Sequence, residues 1–146
     1  MKRIVSGFAL MALLVSVAFA GTLDFGIFSI DVADGWTATP DGNTVGIVRA
    51  DSTASMSITV EENDGSSVQE LAEAFMRELN GKNLTTDEHG NAVFEFDNSN
   101  GVTSRVVLNA DADHFGLIVI TIGDGTPSEA RTEIGVMLDT LKFRDI

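Results

Sequence analysis

Apolar and polar positions along this chain alternate in short runs, interrupted twice by longer stripes of helical spacing. Phe28, Ile30 and Val32 alternate with Ser29 and Asp31, the period of a half-buried strand. Asp34-Gly35 turns it. Asp41-Gly42-Asn43 turns the chain again between residues 37–39 and 45–49. Met56, Ile58 and Val60 then alternate with Ser55, Ser57 and Thr59. Ser67-Val68-Gln69-Glu70 is an S-x-x-E capping box. Val68, Leu71, Ala72, Phe75, Met76 and Leu79 follow on one helical stripe. Asn80-Gly81 closes this helix, and Gly81 is expected in the left-handed cap conformation.

Strands resume with Ala92, Phe94 and Phe96 on one face and Glu95 on the other. Beyond a turn at residues 98–101, another strand covers 102–108. Residues 115–122, FGLIVITI, are almost continuously apolar and rich in β-branched side chains, which predicts a strand buried on both faces. Thr126-Pro127-Ser128-Glu129 reads as a second capping box, with Thr126 as cap and proline at the first helical position. Ala130, Ile134, Met137, Leu138 and Leu141 form its stripe. A doubly buried strand needs two covers. The expected fold class is therefore α+β, an antiparallel β-sheet with helices on both faces, in the order β-β-β-α-β-β-β-α give or take one hairpin.

The first twenty residues change the picture of where this domain works. Lys2 and Arg3 precede an uncharged apolar run at 4–17, and Ala18-Phe19-Ala20 supplies the small residues of a cleavage site. This is the pattern of a secretory signal peptide at 1–20, followed by a single domain at 21–146. The expected localisation is periplasmic or secreted, with no membrane insertion after cleavage. The whole chain carries a net charge of −13, which becomes −15 without Lys2 and Arg3. Such a surface disfavours nucleic acid and anionic lipid. It suits solubility, a cationic partner or loosely held divalent cations. Cysteine is absent, so disulfides, thiolate catalysis and thiolate metal sites are excluded.

An exported start, the strand FSIDV at Phe28–Val32 and the pair Gly35-Trp36 resemble the opening of PsbP-like proteins. The helix SVQELAEAFMREL, the segment FEFDNSNGVTSRVVL and the ending LDTLKF extend the resemblance over residues 28–143. Ala33 stands where the family signature carries proline. The resemblance implies the α/β/α sandwich shared with Mog-type Ran-binding proteins and small secreted bacterial proteins. It also implies an accessory or protein-binding role without enzymatic activity, and a packing role for the tryptophan. No shared catalytic motif exists to carry over.

The residues themselves offer few reaction constellations. Asp111, Asp113 and His114 lie within four positions and form a candidate cation site, but Phe115 and Ile122 occupy two positions where a calcium loop needs ligands. A solvated turn is the simpler reading. Asp87-Glu88-His89-Gly90-Asn91 is a similar run without zinc spacing. No G-x-S-x-G elbow occurs. Gly123-Asp124-Gly125 precedes a helix, yet Asp124 opposes an anion there. Met56, Met76 and Met137 fall on apolar stripes and read as core. Trp36, the only tryptophan, reads as packing, with partner or ligand contact as the alternative. Arg49 and Arg105 sit inside strands of a cation-poor chain, either paired with a cross-strand carboxylate or anchoring an acidic partner. No catalytic residue, metal or cofactor is expected. The expected function is an exported binding module for an unknown envelope protein or small ligand. The alternatives are a weak metal-dependent hydrolase centred on Asp111, Asp113 and His114, and a self-associating structural protein.

Overall fold

The computed structural model describes residues 21–24, 28–98 and 101–143. The expected signal peptide at 1–20 and part of the turn at 98–101 lie outside them. Ten strands and two helices occur among the described residues, in two compact units. The described residues up to 56 together with those at 123–143 make the first, and the described residues at 57–122 the second.

In the first unit, β1 (Gly21–Asp24), β2 (Phe28–Val32) and β10 (Lys142–Phe143) form a small antiparallel sheet with β2 in the middle. The alternation read from FSIDV is real: Phe28, Ile30 and Val32 are buried, and Ser29 and Asp31 are not. β3 (Trp36–Asp41) and β4 (Thr44–Arg49) form a hairpin around Gly42, whose φ of 65° explains a glycine in that turn. The helix α2 (Glu129–Asp139) contacts β2 and buries Ala130, Ile134 and Met137. The Thr140 hydroxyl, just past α2, accepts the Asp31 N–H at 2.8 Å and donates to Met137 O, tying the helix end to β2.

β5 (Ala54–Glu62) runs from the first unit into the second. There the strand order is β5-β9-β8-β7-β6, with β6 at Lys82–Thr86, β7 at Ala92–Asp97, β8 at Thr103–Ala110 and β9 at His114–Ile122. The helix α1 (Val68–Leu79) lies against β7 and β8. Its Ala72 joins Ala92, Leu108 and Phe115 in a core cluster, with Leu71, Phe75, Leu84 and Leu117 packed against it. The Phe75 and Phe115 rings tilt against each other at 5.8 Å between centroids.

Both halves of the α1 capping box form: Ser67 Oγ accepts the Glu70 N–H, and Glu70 Oε1 accepts the Ser67 N–H. The left-handed cap falls on Asn80, with φ 60° and ψ 44°, and not on Gly81. Gly81 is required for another reason. A Cβ there would stand 2.8 Å from Cδ1 of the buried Phe94 ring. At α2 the cap is Ser128, which makes no side-chain cap bond. The Thr126 hydroxyl donates instead to the carbonyls of Thr53 and Gly123.

The expectation of one antiparallel sheet with helices on both faces does not hold. The fold is mostly antiparallel β with two helices, and each helix belongs to a different unit. The single helix of the second unit covers one face of its sheet. β9 is less buried than its composition predicts: Phe115, Gly116 and Ile118 are buried, and Leu117, Val119 and Ile120, which fall on both faces of the strand, are only partly so. An unbroken apolar run shows that a strand prefers cover, without showing how much cover the rest of the chain supplies.

Candidate functional site

The β3–β4 register places Trp36 directly opposite Arg49. Opposed residues of an antiparallel pair project on the same side, so the indole and the guanidinium are neighbours. Both reach Glu133 of α2. Trp36 Nε1–H and Arg49 Nε–H each donate to Glu133 Oε1 at 3.2 Å. The remaining Arg49 nitrogens donate to Asp51 and, at 3.5 Å, to Glu129. Glu129 and Glu133 lie one helical turn apart, so a single guanidinium spans both. The hydrogen bond with Glu133 raises the Arg49 pKa against the partial desolvation of the guanidinium, and the Asp51 charge adds to it. Asp51 is held below the usual aspartate range by the Thr53 hydroxyl and N–H first, and by Arg49 after them. The indole is fully buried, and the Arg49 side chain is 16% exposed. Glu133 escaped the sequence reading. The trace it left was the Glu129–Glu133 spacing on a helix whose other face is apolar.

Asp111 and His114 close the β8–β9 turn. Asp111 Oδ1 accepts the N–H groups of Asp113 and His114, both at 2.8 Å, and Asp111 N–H donates to His114 O. Those backbone donors, His114 first, lower the Asp111 pKa. Asn63 holds the turn from outside: its Nδ2 donates to Asp111 O at 2.6 Å and its N–H to Asp113 O at 2.7 Å. The carboxylate therefore faces its own backbone. Asp87 repeats the design. Despite some desolvation its pKa is lowered by the Asn91 side chain, the Asn91 N–H and the His89 N–H. Among the described residues, no group of three or more His, Asp or Glu side chains is placed to hold a metal ion.

Arg105 is placed differently. It is exposed on β8, opposite Glu95 of β7 and Ile120 of β9. Its row continues to Lys82 of β6, opposite Glu95. The next row on the same face is apolar, Val93, Val107 and Ile118 in direct register. Glu95 accepts a hydrogen bond from Asn83 at 3.1 Å, and Lys82 pairs with Asp97 at 3.4 Å. Among the described residues no carboxylate lies within 4.0 Å of the Arg105 guanidinium.

The solution structure of cyanobacterial PsbP (CyanoP) from Synechocystis sp. PCC 6803 superposes with a TM-score of 0.56, covering 89% of this chain and 95% of its own. The fold is PsbP-like. Sequence identity with CyanoP is 8%, so the likeness concerns the path of the backbone. No family model matches the chain, and no curated protein matches it. None of the described helices is long and apolar enough to cross a membrane.

Proposed function

We propose that this chain is an exported accessory module without enzymatic activity that docks on a protein partner in the cell envelope. Its docking surface is the face of the second unit's sheet that carries Arg105. The observation that carries this reading is the contrast among the three candidate contact residues. Trp36 and Arg49 are engaged by Glu133 within their own unit. Arg105 presents its guanidinium to solvent beside the half-buried Val107, whose row neighbours Val93 and Ile118 are buried. An arginine next to apolar side chains is the composition that protein interfaces favour, because the guanidinium is weakly hydrated and pairs bidentately with a carboxylate. A PsbP-like backbone agrees with such a role.

Site-specific photocrosslinking in intact cells tests the proposal. A photoreactive side chain at position 105 or 107 is expected to yield one discrete protein adduct. The same group at the exposed helix position Glu73 serves as a control. Equal adduct patterns at all three positions would sink the docking-face assignment. An adduct of twice the chain mass would instead favour self-association.

A further inference from the structure

We infer that Asn83 is an acceptor for an N-linked glycan, an assignment that relies on export but not on the docking face above. Asn83-Leu84-Thr85 is the only Asn-x-Ser/Thr triplet in the chain whose middle residue is not proline. The fold displays it well. The triplet lies on β6, the end strand of the second unit's sheet, with Asn83 and Thr85 exposed. Leu84 between them turns inward and packs against the Ala72–Leu108 cluster. The register with β7 slips between Lys82 and Thr85, and Asn83 sits at that irregularity with φ 61°. Asparagine tolerates the left-handed region better than most side chains. The carboxamide makes one exposed hydrogen bond, to Glu95 at 3.1 Å, which a substituted nitrogen gives up at little cost.

The transfer balances without a redox partner. The Asn83 carboxamide nitrogen forms a bond to C1 of the reducing-end sugar of a polyprenyl-diphosphate-linked oligosaccharide. The bond from C1 to the diphosphate oxygen breaks, its electron pair leaves with the diphosphate, and one amide proton is released. A glycan here also has a structural use. Among the described residues no strand pairs with the outer edge of β6. An open edge of this kind templates edge-to-edge aggregation, and a bulky polar substituent blocks such pairing.

The test uses the exported chain, recovered from the envelope or medium of the organism that makes it. Intact-mass analysis is expected to show a chain beginning at Gly21 and heavier by one glycan, on the peptide that contains Asn83. Enzymatic release should convert the Asn83 side chain to aspartate. Asn83→Gln and Thr85→Ala are each expected to abolish the added mass. Thr85→Ser, which keeps the hydroxyl and the surface position, should retain it. A bare mass for the exported chain, a glycan elsewhere, or a glycan that survives Thr85→Ala would overturn the assignment.

Discussion

The indole of Trp36 donates its N–H to the carboxylate of Glu133, 97 residues further along the chain, at 3.2 Å. A buried tryptophan needs that acceptor, because an unpaired indole N–H in a dry interior retains the full cost of its desolvation. Glu133→Ala is expected to destabilise the protein by about 1–3 kcal/mol, the cost of one unsatisfied buried donor. Trp36→Ala removes the whole ring and should cost about 3–5 kcal/mol. Urea unfolding followed by circular dichroism checks both. In the Glu133 variant, Trp36 fluorescence reports the site directly, since the chain has no other tryptophan.

Two glycines should respond to alanine with opposite signs. A Cβ on Gly81 would meet Phe94 Cδ1 at 2.8 Å and Met76 Cγ at 3.2 Å, and the Phe94 ring is fully buried. Gly81→Ala is expected to destabilise by about 1–3 kcal/mol through overpacking. Gly135 lies inside α2, where an added Cβ would meet nothing within 4 Å. Gly135→Ala should stabilise by about 0.5–1 kcal/mol, the difference in helix propensity. Thermal melts of the two variants check the signs. Equal effects at the two positions would remove the packing explanation.

Acid should weaken the Asp111 turn. Two backbone N–H donors hold its folded pKa below the ordinary aspartate value of about 3.9. The unfolded chain therefore binds this proton more readily, and stability falls as pH falls. The contribution is complete above the unfolded value and is lost as pH drops through the lower folded one. Thermal melts of the wild type and Asp111→Asn should differ at neutral pH, with the wild type more stable, and the gap should shrink on acidification below the unfolded aspartate value of about 3.9. A gap independent of pH would show that the carboxylate charge does not hold the turn.

Loss of the α1 cap is a local test. Ser67→Ala removes the acceptor for the Glu70 N–H and is expected to cost about 1 kcal/mol. Ser128→Ala at α2 should cost much less, since Ser128 makes no cap bond. Chemical denaturation of the two variants side by side measures the difference.

Local signals were legible wherever one segment supplied both halves of an interaction. The Ser67–Glu70 box, the FSIDV alternation and the hairpin turn at Gly42 depend on neighbours a few residues away. Three strands gave no such signal. β6 reads KNLTT, an edge strand with one half-buried apolar residue, and β10 has only two residues. β1, the four residues GTLD, exists through its pairing with β2. The Thr126 box failed because its hydroxyl found carbonyl acceptors at Thr53 and Gly123.

By itself the sequence determined which segments become helices and central strands, where the tight turns fall, and that no thiol chemistry is available. Tertiary structure alone decided which sheet each helix covers, why Gly81 must be glycine, and that Trp36 and Arg49 share one oxygen of Glu133 while Arg105 faces solvent. The physical reason is range. Periodicity and capping are set by bonds spanning a few residues, whereas an apolar stripe or a strand arginine specifies the kind of neighbour it needs and leaves the choice of neighbour to the fold.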